Sequence, residues 1–205
     1  MKKRSIIILS TILTIFLVTV STISIIVACE KPTIKYDNDT WITGEYKNIF
    51  MSDLFMDVIP EPSEVDGYDD SMFYSCYYRD AFFKYTFGSY CSTDSFALEL
   101  TFSEENYKKA ELDLFEKYVF LEEPVFNENH QMWRMPFTET KLGDYTLKII
   151  YDHPYRFLYP MDTPFVAFNG KNKIRYCYQY NESRDEVDNG DELLKYIQKG
   201  FKLDW

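Results

Sequence analysis

The sequence predicts an α+β fold: an antiparallel, twisted β-sheet with one main helix packed on a face and a short C-terminal helix. Three observations carry this. Several segments alternate apolar and polar side chains with the two-residue period of a half-buried strand. One segment, opening at Ser103, repeats apolar side chains at helical spacing. The order is strands, helix, strands, short helix, which suits an antiparallel sheet covered on a face rather than alternating βαβ units.

The elements follow in chain order. Residues Phe73 to Phe87 are dense in aromatics and read as two strands broken near Arg79 and Asp80, with a turn at Gly88-Ser89. From Ser95 to Phe102, Phe96, Leu98, Leu100 and Phe102 face one way, while Ala97, Glu99 and Thr101 face the other. Ser103 ends that strand and caps a helix, and Glu104 and Glu105 suit the positive end of its dipole. Tyr107, Ala110, Leu114, Phe115 and Tyr118 form the apolar stripe expected to meet the sheet. Strands resume at Gln131 to Phe137 and Tyr145 to Asp152. Phe165 to Tyr180 reads as a hairpin around Asn169-Gly170, a pair that favours a tight type I′ turn. Its second arm sets Ile174, Tyr176, Tyr178 and Tyr180 on one face. A last helix runs from Asp191 to Lys199, with Gly200 as its stop.

The N-terminus is of a different kind. MKKR precedes an uncharged run of 24 residues, Ser5 to Ala28, made of Ile, Leu, Val, Thr and Ser with one Phe. A basic start, an apolar run and small residues near a cut site make a secretory signal. The positive-inside rule keeps Lys2, Lys3 and Arg4 in the cytoplasm and sends the remainder outward. The run ends in Ile26-Val27-Ala28-Cys29. This resembles the lipobox of bacterial lipoproteins: a branched aliphatic residue, a tolerant position, a small residue, then cysteine. The resemblance covers residues 1–29 only. It implies that Cys29 receives a diacylglycerol, that cleavage precedes Cys29, and that the lipid holds the protein to the outer face of the cell membrane. An uncleaved anchor is the alternative, since about 20 apolar residues suffice to span. Both give one topology, a globular part outside, tethered at its N-terminus.

The expected organisation is therefore a signal peptide or membrane anchor over 1–28, a spacer over 29–48 and one α+β domain over 49–205. The 177 residues from Cys29 onward suffice to bury a substantial core. The whole chain carries −11; without residues 1–28, which hold Lys2, Lys3 and Arg4 and no acid, it carries −14. Such a surface repels nucleic acid and anionic headgroups and favours cationic partners.

No catalytic, cofactor-binding or metal site is predicted. There is no GxSxG, HExxH or CxxC, and the only histidines are His130 and His153. Placing Gly190 at the sixth position of a calcium loop puts Val187 third and Tyr196 twelfth, where oxygen ligands are needed. The segment Asp185 to Glu192 thus reads as a solvated loop. His153 stands in HPYRFLYP, read as a connection between strands. Lys171, Lys173 and Arg175 form a small basic patch, read as the charged face of an edge strand. Cys76, Cys91 and Cys177 leave one disulfide or three buried thiols open. The functional expectation is an anchored, non-catalytic binding module for a cationic extracellular protein or peptide. The alternatives are glycan binding through exposed aromatics, or a carboxylate-based hydrolase.

Overall fold

The computed structural model describes residues 2–29, 33–48, 57–79, 92–123, 125–126, 134–135, 139–151, 162–181, 194–195, 197–198 and 200–205. Within these, the side chains of 2–7, 9, 25–29, 78–79, 92, 125–126, 134–135 and 181 lie outside the description. Seven strands form one antiparallel sheet: β1 (Thr33–Tyr36), β2 (Tyr68–Arg79), β3 (Ser92–Phe102), β6 (Glu139–Leu142), β7 (Tyr145–Ile149), β8 (Asp162–Phe168) and β9 (Lys173–Asn181). Their order is β1-β2-β3-β9-β8-β7-β6. Among the described residues, β4 (Val125–Phe126) and β5 (Arg134–Met135) pair with each other in a separate two-stranded sheet. The chain thus makes two meanders, β1 to β3 and β6 to β9, joined by the β3–β9 pairing. The helices are α1 (Lys2–Cys29), α2 (Asn38–Ile42) and α3 (Glu104–Lys117).

Register explains the two faces. The row Phe73, Leu98, Tyr176, Val166 points one way across β2, β3, β9 and β8. The next row, Tyr74, Ala97, Cys177, Phe165, points the other way. On the first face the sheet meets Tyr107 and Leu114 of α3 and Tyr118 just beyond it, together with Trp41, Tyr46, Val58 and Ile59. On the second it meets Leu121, Ile197 and Phe201, with Leu203 and Trp205 packed at the margin. Both faces are therefore covered. The Ser95–Phe102 alternation holds, but Ala97 and Glu99 of its second set are buried too, because the C-terminal segment returns across that face.

The cap at Ser103 is present: its Oγ accepts from the Asn106 N–H at 3.3 Å. The helix ends at Lys117 where Tyr118 turns extended. The apolar stripe is met in part. Phe115 is 45% exposed, because it sits one residue, about 100°, from Leu114 on the helix. It stacks on Phe168 at the sheet margin, with ring centroids 5.8 Å apart.

Three expectations are corrected. The stretch 29–48 is not a spacer over its described part. β1 pairs with β2, and Trp41 and Tyr46 are fully buried. Trp41 Nε1 donates to the Pro60 carbonyl at 2.8 Å, fixing that segment to the core. The Asn169-Gly170 hairpin exists, but not as a type I′ turn, which needs positive φ at both central residues. Only Gly170 has it. Asn169 Oδ1 instead accepts from the N–H groups of Lys171, Asn172 and Lys173 at 3.0, 3.0 and 2.8 Å, which widens the loop. Finally, β9 is not an edge strand but the middle strand of the seven.

At the β6–β7 turn, Gly143 has φ +58° and takes the first of two turn positions, the place a type II′ hairpin reserves for glycine. An added Cβ there would also collide with the Trp205 carbonyl. The described helical residues Leu194, Lys195, Ile197 and Gln198 fall in the expected C-terminal helix, and Gly200, expected as its stop, is itself helical. The Phe201 N–H closes onto the Ile197 carbonyl at 2.8 Å.

Candidate functional site

A cleft of about 140 Å³ lies between α3 and the segment from Pro60 to Gly67. One wall is α3, with Asn106, Lys109 and Asp113; the other is Glu64, Val65 and Asp66; Leu114 and Tyr176 lie beneath. Each end is tied. Asn106 Nδ2 donates to the Gly67 carbonyl at 2.8 Å. Lys117 Nζ donates to Glu64 Oε2 at 2.8 Å. Gly67 has φ +74°, a left-handed backbone that favours glycine. The Lys117 hydrogen bond holds the Glu64 carboxyl below the usual range, against partial burial. The volume falls below the roughly 300 Å³ at which small-molecule sites begin. It suits a side-chain terminus or a few waters.

The rim is acidic. Asp66, Asp69 and Asp70 are exposed on the chain entering β2, and Glu104 and Glu105 are exposed in the first turn of α3. They are neighbours because Tyr68 pairs with Phe102 and Asp70 with Thr101, with a bulge between. The sequence shows Glu104 and Glu105 as the acids of a helix start; their adjacency to Asp66, Asp69 and Asp70 depends on that pairing and on the Asn106–Gly67 bond.

Two residues of the basic patch, Lys173 and Arg175, are paired within the fold, while Lys171 stays exposed. Glu99 and Arg175 are directly opposed across β3 and β9, and Arg175 Nε donates to Glu99 Oε2. Lys173 Nζ donates to Glu99 Oε1 at 2.6 Å, and the Tyr145 hydroxyl lies 3.3 Å from Oε2. The guanidinium lies over the Tyr145 ring at 4.0 Å and the Trp205 ring at 5.0 Å. Burial raises the Glu99 pKa, but the Lys173 hydrogen bond and the Arg175 charge outweigh it, and the net shift is downward. Elsewhere the Tyr178 hydroxyl donates to Asp162 Oδ1, and burial pushes that carboxyl up despite the bond. Tyr178 is fully buried, so this carboxyl faces the core rather than a cleft.

Cys29 is the last residue of α1. Among the described residues no helix is long and apolar enough to cross a membrane. Cys76 and Cys177 are buried free thiols, and burial raises the pKa of each. They do not pair with each other; Cys91 lies outside the described residues. So do His130, His153 and Asp185–Gly190 of the acidic loop. Among the described residues no group of His, Cys, Asp and Glu is placed to hold a metal ion. Tyr176 and Tyr178 of β9 belong to the core beneath α3. No family model, no curated protein and no solved structure matches this chain.

Proposed function

We propose that this chain is a lipoprotein held at the outer face of the cell membrane through Cys29, and that its α+β domain binds a cationic protein or peptide without catalysis. The observation that carries the binding reading is the carboxylate rim of Asp66, Asp69, Asp70, Glu104 and Glu105. No Lys or Arg interrupts the chain between Lys47 and Arg79 or between Lys84 and Lys108. Lys117, at the far end of the cleft, is already paired with Glu64. Because Lys109 and Lys117 line the cleft, a partner's lysine or arginine would meet the carboxylates beyond its Gly67–Asn106 end, and their charge raises its encounter rate at low salt. The lipidation reading rests on the residues ending at Cys29, and an uncleaved anchor gives the same topology.

The test is a pull-down from cell-surface extract at low and high salt with three chains. One is unaltered. One carries D66N, D69N, D70N, E104Q and E105Q. The third carries five neutralisations elsewhere: E45Q, E111Q, E116Q, E122Q and E123Q. The reading expects a partner held at low salt, released at high salt, lost with the rim variant and kept by the control. Equal retention by the rim variant and the control rejects the rim. The anchor is tested by the intact mass of protein extracted from its native membrane. The expected chain starts at Cys29 and is heavier by a diacylglycerol; a full-length unmodified mass rejects lipidation.

A further inference from the structure

The corrected role of the N-terminal stretch has a geometric consequence. From Cys29 to Thr33, the first residue of β1, there are four Cα–Cα steps, at most about 14 Å of extended chain. β1 cannot recede from that point, because it is zipped to β2 from Thr33–Tyr77 to Tyr36–Tyr74. Beyond it the chain stays fixed. The Asp37 N–H donates to the Phe73 carbonyl, and the Phe73 N–H to Asn38 Oδ1, both at 2.9 Å. Trp41 then enters the core. An anchor at Cys29 therefore holds one edge of the sheet within reach of the headgroup layer.

That edge is unlike the rest of the sheet. All four residues of β1 are exposed, and β1 is an outermost strand. Ile34 and Tyr36 lie on the same side of it, 37% and 57% exposed. An aliphatic residue beside a tyrosine suits the membrane–water interface, where tyrosine keeps its hydroxyl in water and its ring in the apolar margin. Lys35 is the neighbouring cation, and Asp37 and Asp39 are the neighbouring acids. Asp37 is occupied in capping α2, bonded to the N–H groups of Asp39 and Thr40.

We infer that the β1 corner of the domain, with Ile34 and Tyr36, rests on the lipid surface and thereby points the acidic rim away from it. Ile34 stands opposite Cys76 and Tyr36 opposite Tyr74. They lie six and four residues along β2 from Asp70, about 20 and 14 Å. Glu104 lies at the Asp70 end, since Phe102 pairs with Tyr68. This inference rests on the anchor at Cys29, as lipid or as span, and adds the side of the domain that faces the bilayer.

The test uses the full chain in phosphatidylcholine vesicles, some lipids carrying a nitroxide near the headgroup. An environment-sensitive fluorescent amino acid replaces either Ile34 or Glu104. Flotation first reports whether the chain is anchored. In the anchored protein the probe at position 34 should shift to the blue and be quenched several-fold more than the probe at 104. Floating vesicles with equal quenching at both positions overturn the orientation and leave the anchor standing. A chain that does not float removes the anchor itself, and the inference falls with it. A blue shift at position 34 that grows with protein concentration and ignores the nitroxide assigns the edge to a second copy and overturns the inference.

Discussion

Glu99 and Arg175 face each other across the central strand pair with 6% and 4% of their surfaces exposed. Two buried charges cost desolvation, and their attraction offsets it only while both are present. Glu99→Gln should therefore destabilise the domain by about 3–5 kcal/mol, the usual cost of stranding one partner of a buried pair. The double change Glu99→Leu with Arg175→Met should cost less than the single one. Urea unfolding of the three proteins checks this, and a double variant no more stable than the single would reject it.

The same carboxyl sets an acid limit. Its folded pKa is depressed by Lys173 and Arg175 against the opposing effect of burial. Its contribution is complete above the unfolded glutamate value of about 4.3 and is lost as pH falls through the folded value. Unfolding free energy measured from pH 7 downward should decline below that point, and Glu99→Gln should flatten the decline.

Asp162 should behave with the opposite sign. Burial raises its folded pKa, so the native state holds a proton that the unfolded state has released. Stability then falls as pH rises from the unfolded aspartate value of about 3.9 through the folded value. Asp162→Asn should remove that slope, so unaltered protein loses stability relative to the variant as pH rises above about 4. Parallel pH profiles for the two proteins would show that Asp162 is not the group responsible.

Gly143 and Gly170 allow a controlled comparison. Both have positive φ, +58° and +68°, but only at Gly143 would a Cβ meet Trp205. Gly170→Ala should cost about 1–2 kcal/mol for the left-handed backbone. Gly143→Ala should cost more and should increase acrylamide quenching of tryptophan fluorescence as Trp205 is displaced from Tyr145, Phe165 and Phe201. Equal melting points for the two variants would mean that the Trp205 contact carries no energy.

Trp41 tests whether the N-terminal stretch belongs to the fold. Trp41→Ala removes a fully buried indole and its bond to Pro60, and should cost about 3–5 kcal/mol. A shift in the denaturation midpoint near zero would restore the spacer reading.

What the sequence determined by itself was local. The Ser103 cap, the α3 stripe from Tyr107 to Leu114 and the alternation through Phe102 are set by residues within a turn or a strand of one another, and each is legible there. Cys29 and its preceding run are likewise a contiguous pattern. What the tertiary structure decided lies between distant residues. Glu99 and Arg175 are separated by 76 positions, and Asn106 and Gly67 by 39. Trp41 and Tyr46 are isolated aromatics in a polar stretch, with no period to betray their burial. Arg175 looked like a surface charge because nothing near it in the chain shows that β9 is central. Strand order is fixed by which faces bury the most apolar surface together, and that sum exists only once the sheet has formed. The acidic rim has the same origin: two ordinary charged runs become one surface when Asp70 pairs with Thr101.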